Sequence, residues 1–282
     1  MEGQSSTGAQ ALSRIAAALE RMANPAGQAE AKANWLAHPA YVWRTWGPRP
    51  VERIEAPALA LLRGIEGQKA AVCANLLRHA RGSAAHDMLL WGARGMGKSA
   101  LLRAAAAAAQ EQEPGRLALV QVGTDALGSL AELFARLGGV DRRFLVFLDD
   151  LGFADEDSMG PRCLRSWLDG GVEARPANVR LAVTANRRAL VSREMGEQDD
   201  PLNPRDAVDD RLALADRFGL ALGFHACSQD DYLAIVAGYA EALGLDWAEG
   251  QALEWARRRG ARSGRTAWHY ITELAGRAGR AL

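Results

Sequence analysis

Residues 91–103 read WGARGMGKSALLR: three glycines within six positions, then Lys98 and Ser99, then a helical run. Gly92, Ala93, Arg94, Gly95, Met96, Gly97, Lys98 and Ser99 fit the pattern G-x-x-x-x-G-K-[ST]. Glycine admits positive φ and close backbone approach, so the successive N–H groups of this stretch, through Ala100, can turn into one concavity. A helix that starts there adds unpaired N–H groups and the positive end of its dipole, both favourable to phosphate. Lys98 supplies a mobile cation for the β- and γ-phosphates, and Ser99 a hydroxyl ligand for Mg²⁺. A glycine turn with no ligand does not require the Gly-Lys-Ser ending. The expected ligand is therefore ATP with Mg²⁺.

Binding is not reaction. Hydrolysis needs a carboxylate near Ser99 to support the metal and an acceptor that orients water. The stretch FLVFLDD ends an apolar strand in Asp149 and Asp150. Carboxylates at the end of a buried strand lie at the C-terminal edge of a sheet, where such folds bind ligands. Asp149 is expected to hold the Mg²⁺ shell and Asp150 to polarise the attacking water.

The elements that must position these residues follow from the hydrophobic pattern. Apolar strands are expected at 87–92, 116–123, 143–150, 179–186 and 219–225, separated by helices, including one over 98–112 with six consecutive alanines. Near-continuous apolar strands between helices indicate an α/β fold: a doubly wound, parallel, five-stranded sheet covered on both faces. After residue 227 the pattern turns wholly helical, at 229–243, 246–259 and 264–280. Residues 10–23 also read as a helix. Three units are expected: an N-terminal helical extension with an aromatic linker over 1–57, the α/β domain over 58–227, and a helical lid over 228–282. In the linker, Trp35, Tyr41, Trp43 and Trp46 either pack the N-terminal segment onto the domain or form a partner patch.

Composition narrows the setting. Formal net charge is zero, so no chain-wide pull on nucleic acid or anionic membrane is indicated. The segment 251–282 is locally basic, with seven arginines against two glutamates, which leaves DNA contact open. No run of about 18 apolar residues exists, and the opening MEGQSSTGAQ lacks the pattern of a signal peptide. Cys73, Cys163 and Cys227 are odd in number and far apart, which fits a reducing cytoplasm. The five histidines have no zinc-like spacing. The stretch 193–210 is strongly acidic with two prolines, as a solvated or partner-contacting loop is.

In GARGMGKS, FLVFLDD, LAVTANRR, LADRFGL and RSGRTAWHYI the chain resembles the AAA+ P-loop ATPases. More closely, over roughly residues 35–275, it is similar to the bacterial family catalogued as domain of unknown function 815. LRGIEGQKAAV, LLWGARGMGKS, DGGVEARPANVRLAVTANRR, ADRFGL and SQDDYLAIV carry that likeness. Replication initiators and helicase loaders are more distant likenesses. The resemblance implies roles for further residues. Asn186 falls at the sensor-1 position, against the γ-phosphate or the lytic water. Arg217 falls at the arginine finger, which acts on a neighbouring subunit's nucleotide, and Arg265 at sensor 2. Gly64 and Ile65 fall in the segment lining the adenine pocket. Arg187, Arg188 and Arg211 are alternatives to Arg217, and Arg262 to Arg265.

The implied activity is ATP hydrolysis in a homo-oligomer with nucleotide at subunit interfaces, acting on a protein or nucleic-acid client. One departure bears on rate: most AAA+ members have Asp-Glu where this chain has Asp149-Asp150. The shorter side chain favours a slow or partner-stimulated cycle. A nucleotide-gated adaptor with little turnover and a P-loop small-molecule kinase are the alternatives.

Overall fold

Seven strands form the sheet, in the order β2-β1-β4-β5-β6-β3-β7, all parallel except the antiparallel pair β1–β2. This computed structural model describes residues 34–151, 167–168, 174–186 and 216–282. The strands are β1 (Ala40–Arg44), β2 (Gly47–Val51), β3 (Met88–Gly92), β4 (Leu117–Val122), β5 (Arg143–Leu148), β6 (Val179–Asn186) and β7 (Leu220–Phe224). The helices are α1 (Glu66–Ala80), α2 (Lys98–Gln112), α3 (Leu130–Gly138), α4 (Gln229–Leu243), α5 (Glu249–Arg258) and α6 (Gly264–Arg277). None of the helices among the described residues is long and apolar enough to cross a membrane.

The expected strands are all present, but the sheet has two more than the five expected. Both come from the aromatic segment, so the sheet begins before residue 58. β1 pairs in parallel with β4, and Ala40, Tyr41 and Trp43 are buried. Pro48 and Pro50 sit in β2 at the outer edge, where a missing N–H removes no necessary ladder bond. Of the aromatics, Trp35, Tyr41 and Trp43 pack inward, whereas Trp46 stays 37% exposed. A buried arginine fastens this segment: Arg142 donates to the carbonyls of Trp35, His38 and Leu117 at 2.8–2.9 Å. The helix expected at 10–23 lies outside the described residues.

Alternate strand residues face opposite cores, as period two dictates. Phe144, Val146 and Leu148 pack with Leu133, Phe134 and Leu137 of α3 on one face. Leu145 and Phe147 pack with Leu76 of α1 and Leu101 of α2 on the other. The alanine run puts Ala104, Ala105, Ala106 and Ala109 into that second core, where small side chains let α2 lie close to the sheet. The lid helices α4, α5 and α6 enclose a third core around Tyr232, Val236, Ala267 and Ile271. Met96 of the glycine-rich loop packs against both the second and the third.

Two measurements test this packing. Trp43 is 1% exposed and its Nε1–H donates to Ser129 Oγ at 2.8 Å. Trp43→Ala is expected to lower unfolding free energy in urea by about 3–5 kcal/mol, and Trp46→Ala to change it by no more than about 0.5 kcal/mol. His79 is buried in α1, and its Nε2–H donates to the Phe144 carbonyl at 3.1 Å. Burial, only partly opposed by that bond, pushes its pKa from 6.5 down to about 4. Between those values the unfolded chain takes up a proton that the folded chain refuses. Stability is therefore complete above pH 6.5 and falls as pH drops towards 4, by on the order of 3 kcal/mol. Urea midpoints from pH 7 to 4 should show this slope in the native chain and lose it in His79→Gln.

Candidate nucleotide site

The parallel register sets the site. Gly92 pairs with Asn186 across β3–β6, and Leu148 pairs with Val183 across β5–β6. The ends of three neighbouring strands therefore come level, and the chain that leaves each carries the polar groups. A cleft of about 1010 Å³ opens above them, between the sheet edge and the lid. Its walls include Arg94 to Ala100, Arg103, Asp149, Asp150, Thr184, Asn186 and Arg265.

The loop leaves β3 at Gly92 with φ +129°, and a Cβ there would lie 2.1 Å from the Phe224 carbonyl oxygen of β7. Only glycine fits between the two strands. Gly95 has φ +76°, and a Cβ there would lie 2.9 Å from Ser263 Oγ at the lid. The Gly95 carbonyl accepts from Arg265 N–H at 3.2 Å, so the loop touches the first turn of α6 backbone to backbone. Gly97 precedes α2, whose first turn has no side-chain cap. Its leading N–H groups are thus available to an anion.

Lys98 is 8% exposed and donates from Nζ to the Gly92 and Ala93 carbonyls at 2.9 and 2.8 Å. Burial draws its pKa below the ordinary lysine value, Asp150 and Asp149 push it back up, and Arg265 and Arg94 add to the lowering. Ser99 Oγ donates to Asp149 Oδ1 at 2.5 Å. Thr184 Oγ1 donates to the same oxygen at 2.7 Å and accepts from Asp150 N–H at 2.8 Å, while its carbonyl accepts from Leu151 N–H at 2.9 Å. Asp150 is held at φ +52°, the only described non-glycine residue in the left-handed region. Asn186 Nδ2 donates to its carboxylate.

The residues singled out from sequence thus divide. Arg94 through Ala100, Asp149, Asp150, Asn186 and Arg265 line one cleft, whereas Gly92 and Ala93 do not line it and instead offer their carbonyls to Lys98 Nζ. Gly64 and Ile65 do not line it. Leu61 and Leu62, just before them, do. Ile65 is buried with Leu62 in the second core, and Gly64, at φ +76°, packs against Asp231 of α4. Arg217 lies elsewhere. It precedes β7, whose first residue Leu220 pairs with Met88, at the opposite edge of the sheet from Gly92. Four residue steps of strand separate those edges, roughly 13 Å. Arg187, Arg188 and Arg211 lie outside the described residues, as does the whole acidic stretch 193–210. Thr184, Arg103, Tyr239 and Trp268 are cleft residues that sequence reading passed over. Thr184 stands two positions before Asn186 on an expected strand, a faint signal. The other three had none.

Residues 36–278 match the family described as "Protein of unknown function (DUF815)". No curated protein matches at a significant level. Among solved structures, the chain is similar to the Thermotoga maritima RuvB Holliday junction branch migration motor, with 18% identity over 79% of this chain and 66% of that one and a TM-score of 0.50. It is also similar to the Aeropyrum pernix ORC1 protein in complex with DNA, with 17% identity over 78% and 63% and a TM-score of 0.54. The chain spans just under two thirds of the length of each. At these identities the likeness is one of fold, that of the AAA+ P-loop ATPases.

The steric requirement at the loop is testable by substitution. Gly92→Ala is expected to lose at least about 3 kcal/mol of stability or fail to fold. Gly67→Ala, where nothing lies within 4 Å of the added carbon, is expected to gain about 0.4–1 kcal/mol. Urea denaturation compares the two.

Proposed function

This chain belongs to the family described as "Protein of unknown function (DUF815)", and from its AAA+ fold and its cleft we propose that it binds ATP with Mg²⁺ and hydrolyses it to ADP and phosphate. The observation that carries this reading is the unbroken hydrogen-bond string Ser99–Asp149–Thr184–Asp150–Asn186 across the mouth of an anion-ready loop. A loop that only bound phosphate would need none of the last four.

Ser99 and Asp149 fit Mg²⁺, since a hydroxyl and a carboxylate oxygen stand side by side at 2.5 Å. Among the described residues no cluster of three or more His, Cys, Asp or Glu could hold a metal unaided. Two protein ligands suit an ion that takes its remaining partners from phosphate and water. When bound, Mg²⁺ supplies charge neutralisation at the phosphate oxygens. The α2 N–H groups and the Lys98 ammonium hold the triphosphate, Nζ exchanging two carbonyl partners for phosphate oxygens. Asp150, fixed through its N–H by Thr184, orients water together with Asn186. Because Asn186 already engages the Asp150 carboxylate, the resting site favours a slow, partner-stimulated cycle.

Arg217 supports a shared site. It stands at the far edge of its own sheet, so the phosphates it serves are those of a second copy, and nucleotide state is coupled to self-assembly. The client is a protein or a nucleic acid. Within the basic C-terminal segment, Arg257 and Arg258 pair with Glu254, Arg277 pairs with Glu273, and Arg280 binds the carbonyls of Leu243 and Gly244. Two glutamates offset two of the seven arginines there, so a net positive charge remains that could meet phosphodiesters.

Phosphate release measured beside sedimentation with and without ATP tests the proposal. Lys98→Ala is expected to lose nucleotide affinity about 100-fold. Asp150→Asn and Arg217→Ala should bind ATP normally and release phosphate at least about 100-fold more slowly, and Thr184→Val about tenfold more slowly. Mixing Asp150→Asn with Arg217→Ala subunits should restore part of the rate. Full activity in Asp150→Asn overturns the hydrolytic reading, and no recovery in the mixture overturns the shared site.

A further inference from the structure

The cleft has a second end. Beyond the loop its wall becomes apolar, formed by Leu61, Leu62, Met96, Tyr239, Leu243 and Trp268. Trp268 is the unusual member. It lies on α6, between Ala267 (fully buried) and Tyr270 (3% exposed), yet remains 39% exposed itself. Its ring is braced by Tyr239 of α4, with centroids 5.1 Å apart and planes at 60°. The indole is therefore held in place without being covered.

Its position on the helix decides what would cover it. Trp268 follows Arg265 by three residues, so the two side chains share one face of α6, and both line the cleft. One helix face thus presents a guanidinium towards the phosphate end and a large aromatic ring towards the apolar end. A group that reaches Trp268 from the loop must carry phosphate at one end and a flat apolar surface at the other. Trp46 and Leu36 are also exposed, but neither lines this cleft. Exposure inside a concavity continuous with an anion site differs from exposure on the outer surface.

We infer that Trp268, steadied by Tyr239, stacks on the base of a bound purine nucleotide. This rests on the nucleotide reading above and adds the source of base affinity: contact with the ring face. Stacking is indifferent to which groups decorate the ring edge, because every base has a π-face. Loss of the indole should consequently weaken adenine and guanine nucleotides alike. It should leave the phosphate end untouched. The contact also gives the ligand a second hold on the lid. Phosphates engage the loop that touches the start of α6 through Gly95, and the base engages α6 one turn further on.

Isothermal titration of the full chain with ATP, GTP and inorganic tripolyphosphate separates the terms. Base–aromatic stacking corresponds to about 10- to 100-fold in affinity. Trp268→Ala is expected to bind ATP and GTP weaker by that factor, and by the same factor for both. Trp268→Phe should bind within a fewfold of the native chain. Tripolyphosphate should bind the native chain and both variants equally, and Lys98→Ala hardly at all. If Trp268→Ala binds ATP as tightly as the native chain, the stacking assignment is overturned. Equal losses for tripolyphosphate and ATP overturn it too, since the residue then acts through lid packing. If the native chain binds tripolyphosphate but ATP no more tightly, the inference fails while the phosphate site stands. If it binds neither, the nucleotide reading fails and takes the inference with it.

Discussion

The cleft depends on the parallel hydrogen-bond register of β5, β6 and β3. Parallel strands start and stop together only if crossovers return the chain to the same edge, and α-helical crossovers do so. Here the register brings Gly92, Thr184 and Asp149 to one edge from positions up to 92 residues apart. A slip of one residue would turn Thr184 to the other face and break its contacts with the Asp149 carboxylate and the Asp150 N–H. The apolar strand interiors oppose such a slip, since it would also exchange the contents of the two cores.

Upon this register sits a lid with a separate core. Met96 joins the two bodies by packing against both, and Gly95 meets α6 backbone to backbone. The contact ties the loop directly to the start of α6. Absence of side chains at Gly95 and Gly264 permits the approach: a Cβ on Gly264 would come within 3.2 Å of the Gly95 oxygen. The strands below and the helical body above thus meet at the cleft.

The arrangement also explains why a polar string tolerates burial. Thr184 is 1% exposed, and a buried hydroxyl without partners is unfavourable. Its hydroxyl both donates to Asp149 and accepts from Asp150, so its hydrogen-bonding capacity is used on the two residues that need orienting. Asp150 adopts a left-handed conformation that aspartate tolerates better than most residues. A β-branched or bulky residue at 150 would resist the same geometry.

Local pattern by itself determined the glycine-rich loop, the carboxylates after β5, the parallel α/β class and the C-terminal helices. Each is legible because strand–loop–helix succession, apolar runs and Gly-Lys-Ser spacing are properties of neighbours in the chain. Tertiary structure alone decided the rest. Trp35, Tyr41 and Trp43 announced packing, but only pairing with β4 made residues 40–51 two strands, against the pull of Pro48 and Pro50. Thr184 joins the carboxylates of the cleft through a bond to Asp149, 35 positions away in the chain. Leu61 and Leu62 join the cleft wall while Ile65 packs beside them against Gly97, a difference of side-chain placement that periodicity does not carry. Trp268 reads as one more apolar residue of an amphipathic helix until the fold leaves its ring uncovered above the loop. Hydrogen bonds and exposure are relations between distant segments, and a linear pattern holds them only where chain neighbours are also neighbours in space.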